Sequence, residues 1–156
     1  VIVVDDGSTE ESVTTLFDQL LRAGSWFNLR GWRVIRGENR YLGGARNVGW
    51  RAAKGQWVLF MDDDNYAKPY EVSVMVWAAL HSGADIVTSA NDYLPSATEP
   101  PTNETLPHGR YVPLGASLTT GMFENGFGDA NALINKKVLE DPAINGWAED
   151  DGYGVQ

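Results

Sequence analysis

Trp57-Val58-Leu59-Phe60-Met61-Asp62-Asp63-Asp64 decides the reading of this chain. Five apolar residues in a row describe a strand buried on both faces, and three consecutive acids then end it. Clustered carboxylates repel one another, and burial disfavours their ionised form. A hard divalent cation reverses that balance, because it takes carboxylate oxygens as ligands. The stretch therefore predicts a metal site at the carboxyl end of a sheet strand, where open α/β sheets bind their ligands. The bland alternative is a solvated acidic turn.

Outward from this strand, the chain alternates between two periodicities. Val1–Val4 is a β-branched run followed by the turn Asp5-Asp6-Gly7-Ser8-Thr9. Ser8 or Thr9 is placed to cap a helix carrying Leu16, Phe17, Leu20 and Leu21 at helical spacing, with Gly24 as its stop. Trp32–Arg36 reads as a second strand, Asn39–Gly44 as a polar loop and Gly44–Ala53 as a helix. Beyond the acidic triple, Pro69 suits a helix start, and Tyr70–Ser82 follows with Val72, Val76, Ala79 and Leu80 on one side. Ala84–Ser89 reads as a further strand. Strands alternating with helices predict an α/β fold, a mostly parallel sheet flanked by helices. In such a sheet Asp5-Asp6 and Asp62–Asp64 leave their strands at one edge and face one crevice.

The alternation then stops. Tyr93–Leu118 holds five prolines and many small polar residues, which reads as a functional or poorly ordered loop. Ala130–Asn135 is a candidate strand, followed by a short helix over Lys136–Glu140. A chain of 156 residues suits a single domain with its own core.

Composition excludes several function classes. Twelve basic against twenty-one acidic residues give a formal net charge of -9, which argues against binding nucleic acid through its phosphates. With no cysteine there is no disulfide, thiolate metal site or cysteine nucleophile. That fits a reducing compartment. No apolar run approaches the roughly 20 residues of a membrane span. Asn103-Glu104-Thr105 matches a glycosylation acceptor in spelling only. Val1 already lies inside a strand-like run, which suggests a piece of a longer protein.

Two further groups carry candidate chemistry. Arg46 and Asn47 follow Gly43-Gly44 in the first turns of a helix, where close backbone approach and a helix N-terminus favour an anionic ligand. A surface arginine on an amphipathic helix is the competing reading. Glu149-Asp150-Asp151 supplies a carboxylate able to take a proton from a hydroxyl, or is merely a solvated acidic run. Trp147 beside it is the tryptophan best placed for a substrate contact. Trp26, Trp32, Trp50, Trp57 and Trp77 read as core. His81 reads as a helix-end cap, and His108 carries no assignment.

Taken together, Val3-Val4-Asp5-Asp6-Gly7-Ser8-Thr9, Asn39-Arg40-Tyr41-Leu42-Gly43-Gly44-Ala45-Arg46-Asn47 and Gly55–Asp64 resemble the nucleotide-sugar-binding half of family 2 glycosyltransferases of GT-A fold. The resemblance is strong over residues 1–90 and loose over 91–156. It implies a nucleotide-sugar-binding half followed by an acceptor-side half that carries the proline-rich loop. It further implies inverting, metal-dependent transfer of a sugar from a nucleoside diphosphate, UDP by default, to a carbohydrate, lipid-linked or protein acceptor. In that scheme Asp5, Asp6, Arg46 and Asp63 contact the nucleotide. Asp62 and Asp64 serve Mn²⁺ or Mg²⁺, with Asp64 the direct ligand, and Asp150 is the general base. The resemblance also implies a cytoplasmic enzyme, free or at the cytoplasmic face of a membrane.

The family's usual first strand and helix, with a Pro-x-Tyr-Asn-like segment, are missing, and Asp151-Gly152 is an uncommon continuation of the Glu-Asp pair. The chain is accordingly expected to be truncated at both ends, and its activity in this form is open. Two rival readings stand: a receiver-type Mg²⁺-binding signalling domain, and a module that binds nucleotide sugar without transferring it.

Overall fold

The computed structural model describes residues 1–22, 31–95, 101–102, 105–129 and 131–149. The chain packs as two compact units, Val1–Gln56 with the stretch from Lys136 on, and Trp57–Asn135.

In the first unit, β1 (Ile2–Asp5) pairs in parallel with β2 (Arg33–Arg36), Ile2 opposite Arg33 and Asp5 opposite Arg36. Between them runs α1 (Glu11–Arg22), with Glu11 in its first turn and Arg22 in its last, signs that suit the helix dipole. It starts after the predicted caps: Ser8 is instead held in the turn, its N–H donating to Asp5 Oδ1 at 3.0 Å. The next helix, α2 (Tyr41–Ala52), begins three residues earlier than its glycines suggested. Side chains outside the helix explain this. Asp6 Oδ1 accepts the Arg40 N–H at 2.9 Å and Asn39 Oδ1 accepts the Tyr41 N–H at 3.0 Å, so first-turn donors find partners without a conventional N-cap. Helix α2 lies on β1, where a methyl group placed on Gly49 would sit 3.5 Å from Val4 Cγ2.

In the second unit, β3 (Trp57–Leu59) and β4 (Ile86–Thr88) flank β7 (Ala132–Asn135), which is antiparallel to both. The α/β reading holds. The antiparallel strand between two mutually parallel ones is what the alternating pattern did not foretell. All four residues of β7 are buried, which marks it as the central strand. Helix α3 (Glu71–Ser82) packs on this sheet through Met75 and Ala79, joined by Leu133, Trp57, Leu59, Val76 and Val87. Of its expected apolar side, Val76 and Ala79 pack inward, whereas Val72 and Leu80 face outward. So does Trp77, assigned to the core from sequence, which stacks on His81 at 4.2 Å. The His81 Nδ1 lies 2.8 Å from the Trp77 carbonyl, a contact along the helix and not the expected cap of its last free carbonyls. Trp50 is core, Trp32 keeps about a third of its surface exposed (37%), and Trp26 lies outside the described residues.

The proline-rich stretch is not irregular throughout. β5 (Asn91–Tyr93) pairs antiparallel with β6 (Gly109–Tyr111), and α4 (Leu118–Gly121) follows, capped by Ser117. The last element is α5 (Lys136–Leu139).

Candidate active site

The first acidic pair divides its labour. Asp5 is buried, and both its oxygens are engaged: Oδ1 by the Ser8 N–H and Oδ2 by Arg36 Nε at 2.9 Å. Burial pushes the Asp5 carboxyl up, yet its hydrogen bonds to Ser8 and Arg36 outweigh this and hold it below its ordinary value. The same guanidinium reaches Asp18 on α1 at 2.8 Å, so Asp5 is the anchor of a β1–β2–α1 junction. Asp6 is half-exposed and points its carboxylate at the start of α2. Gly7, at φ 79°, has no room for a side chain, because a Cβ would come 2.8 Å from the Asn39 nitrogen. The two loops that carry the family-like motifs of this unit therefore touch.

Sequence reasoning paired Asn47 with Arg46 but gave it no task. Asn47 is 1% exposed, and its side chain makes four hydrogen bonds. Its Nδ2 donates to the Trp147 carbonyl and to Glu149 Oε1, both at 2.8 Å. Its Oδ1 accepts from Trp50 Nε1 at 2.8 Å and from the Trp147 N–H at 2.9 Å. Arg46 lies with its guanidinium carbon 4.8 Å from the centre of the Trp147 ring, a cation–π geometry. Arg51 Nη1 reaches Glu149 at 3.4 Å. The hydrogen bond from Asn47, then that from Arg51, holds the Glu149 carboxyl below its ordinary value.

This cluster joins the Gly43–Asn47 motif to the segment that leads to the Glu-Asp pair. Asp150 itself lies outside the described residues. Two glycines make the approach possible. A Cβ on Gly43 would fall 1.9 Å from the Ala148 carbonyl oxygen, and one on Gly146, at φ 83°, would fall 2.4 Å from Asn47 Oδ1.

The acidic triple belongs to the second unit. Strand β3 is continued by Phe60, whose N–H donates to the Ala132 carbonyl at 3.1 Å. The chain then turns, the Asn65 N–H donating to the Asp62 carbonyl at 3.3 Å. Buried Asn131 accepts the Asp62 N–H at 3.3 Å, and Asn65 Nδ2 donates to Asp64 Oδ1 at 3.0 Å. Asp63 and Asp64 are exposed and Asp62 half-exposed. The carboxylates are the hard donors that Mg²⁺ or Mn²⁺ prefers. Among the described residues they form no three-carboxylate cage.

The loop after the triple is fastened at its far end. Lys68 Nζ meets Asp92 Oδ2 at 2.7 Å, and Arg110 Nε meets Asp92 Oδ1. Arg110, then Lys68, brings the Asp92 carboxyl down to about 2. Asn91 Nδ2 donates to Asp129 at 2.6 Å. None of these contacts was visible in sequence, because they depend on a hairpin that closes through the proline-rich stretch.

Comparison with known proteins places this architecture. The family model described as glycosyl transferase family 2 matches residues 1–141. The chain belongs to that family, which removes the receiver-domain alternative. The EpsH protein of Bacillus subtilis strain 168, whose name is that of a putative glycosyltransferase, is 33% identical over 69 residues, covering 44% of this chain and 18% of its own length. The succinoglycan biosynthesis protein ExoO of Rhizobium meliloti strain 1021 is 32% identical over 95 residues, covering 59% of this chain and 24% of its own. The matched stretches thus span a quarter or less of these relatives. The crystal structure of S. aureus TarS 1-349 superposes with a TM-score of 0.61 over 96% of this chain and 41% of that one, at 22% identity. It supports the GT-A type of α/β fold. No described helix is long and apolar enough to cross a membrane.

Proposed function

We propose that this chain carries the catalytic core of an inverting glycosyltransferase, moving a sugar from a nucleoside diphosphate, UDP by default, to an acceptor hydroxyl. The observation that carries this reading is the contact of Arg46 with Trp147 and of Asn47 with Glu149. Within one unit, a nucleotide-side motif and the Glu-Asp segment meet although about a hundred positions separate them.

In this reading residues 1–90 hold the donor and 91–156 serve the acceptor. Asp6 and Arg46 receive the base and ribose, and Asp63 the ribose. Asp5 contributes through the turn it anchors. Asp64, with Asp62 in support, would hold Mg²⁺ or Mn²⁺ against the diphosphate. Such a cation neutralises the charge that develops on the departing diphosphate. Asp150 takes the proton of the acceptor hydroxyl as that oxygen attacks the anomeric carbon from the face opposite the leaving group. The acceptor class is a carbohydrate, a lipid-linked sugar or a protein. The setting is cytoplasmic, free or at a membrane face.

The test is Asp150→Asn. Transfer from a UDP-sugar should be lost while Mn²⁺-dependent UDP binding, read by calorimetry, stays at the wild-type level. Full transfer by the variant overturns the assignment of the base. A wild-type protein that binds UDP with Mn²⁺ but neither transfers nor hydrolyses any common nucleotide sugar is the non-catalytic module instead.

A further inference from the structure

The geometry points to Asn47 as a positioning residue for the reaction, the side chain that sets the Trp147–Glu149 segment, and with it the attachment of Asp150, against the nucleotide-side helix. The inference rests on the transferase reading above and goes beyond it, because it concerns a group that touches neither donor nor acceptor.

A side-chain amide offers two N–H donors and one oxygen with two lone pairs. All four are used here, and three of the four bonds go to the segment 147–149: the Trp147 N–H, the Trp147 carbonyl and Glu149 Oε1. The fourth, from Trp50 Nε1, ends on the same oxygen as the bond from the Trp147 N–H, so the amide's oxygen and nitrogen cannot exchange places without loss. Neither of the near-isosteric side chains reproduces this pattern. Aspartate lacks the two donors and would oppose its charge to Glu149, and leucine has no polar atoms. The side chain is buried, so each broken bond goes uncompensated by water.

The surroundings are shaped to the same end. Gly43 and Gly146 leave room for backbone and amide where any Cβ would collide. Arg51 meets the Glu149 oxygen that Asn47 also holds. The segment is thus fixed by its backbone at Trp147 and by its carboxylate at Glu149, on either side of Ala148. Because Asp150 is covalently next, an error in the setting of Glu149 passes directly to the group that must lie within hydrogen-bond reach of the acceptor. A displacement of about 1 Å is enough to cost roughly 100-fold in rate.

The decisive experiment is a polarity swap in the whole protein. Asn47→Asp removes both donors. Adding Glu149→Gln restores one contact in reverse, because the amide introduced at the second position donates to the carboxylate introduced at the first. We expect Asn47→Asp to lower kcat by roughly 10- to 100-fold, with the KM for the UDP-sugar within about twofold of wild type. The double variant should recover at least about fivefold in kcat over Asn47→Asp alone, a coupling that only residues in contact show. Losses that simply multiply, or an effect carried by KM, overturn the inference. A second measurement needs neither turnover nor a folded variant. In wild-type protein the Asn47 side-chain amide resonances should move with the Glu149 titration, below the usual carboxylate range. Resonances flat across that titration overturn the contact. If wild-type protein transfers sugar and these tests fail, only the role of Asn47 falls. If the amide follows Glu149 and nothing is transferred, the transferase reading falls and the fastening stands.

Discussion

Asn131 accepts the backbone N–H of Asp62 at 3.3 Å, so the entry to the acidic triple is tied to the residue that leads into the central strand. Asn131 is buried and β7 is buried along its whole length, which makes this a rigid point of attachment. Asn131→Ala should destabilise the fold by about 1 kcal/mol, the order of one hydrogen bond. It should also weaken Mn²⁺-dependent UDP binding more than binding in EDTA. Urea denaturation and calorimetry read the two effects. Equal weakening in both buffers would mean that the bond serves the fold and not the triple.

Gly43→Ala tests the closeness of helix α2 and the 146–149 segment without touching a polar group. The added methyl would overlap the Ala148 carbonyl oxygen, a backbone atom that cannot rotate away. The expected cost is about 1–3 kcal/mol in stability, with a fall of at least about tenfold in transfer. Gly37→Ala is the matched control. Nothing lies within 4 Å of its would-be Cβ, and its stability should stay within about 0.5 kcal/mol of wild type. Two melting curves and two rates decide the matter, and indistinguishable variants would mean that the segment sits elsewhere in solution.

Asp92 offers a prediction in pH. Its carboxyl is brought to about 2 from an ordinary 3.8 by Arg110 and Lys68. A depressed folded value contributes stability that is complete above the unfolded value and disappears as pH falls through the folded one. The window is therefore about pH 4 to pH 2. Wild type should exceed Asp92→Asn in urea midpoint at about pH 7, and the two should converge near pH 2. Since Lys68 and Arg110 are exposed, salt at about 1 M should narrow the gap at neutral pH as well. A gap that persists in acid would assign the effect to packing and not to charge.

The strands and longer helices outside the proline-rich stretch, and the family, were legible because they depend on local signals. Val1–Val4, Trp57–Leu59 and Ile86–Thr88 carry β-branched and aromatic runs, and Gly43-Gly44-Ala45-Arg46-Asn47 is a compact motif. What escaped the sequence depends on partners distant in the chain. Helix α2 starts early because Asp6 supplies the first-turn acceptor from another loop. Trp77 faces outward because the side of α3 that meets β7 is centred on Met75 and Ala79. The β5–β6 pair joins residues across the proline-rich stretch, and no short-range periodicity reports that closure. Asn47 was seen as the neighbour of Arg46. Its four bonds appear only once Trp147 and Glu149 are folded against it.

The acidic triple gives the last prediction. Asp63 and Asp64 are exposed, and Asn65 already donates to Asp64 Oδ1. No described group of three acidic or histidine side chains is poised to hold an ion unaided. If the triple holds a cation as proposed, metal affinity should be weak without nucleotide and rise sharply with it, because diphosphate oxygens would then share the coordination. Calorimetry of Mn²⁺ into protein alone and into protein with UDP should differ by at least about tenfold in Kd. Asp64→Ala should abolish that difference while leaving metal-free UDP binding unchanged, and Arg46→Ala should weaken UDP equally with and without metal. The two variants thus separate the cation's contribution from the nucleotide's. Tight Mn²⁺ binding to the protein alone would break the link between triple and diphosphate, since a complete protein cage has no need of the donor.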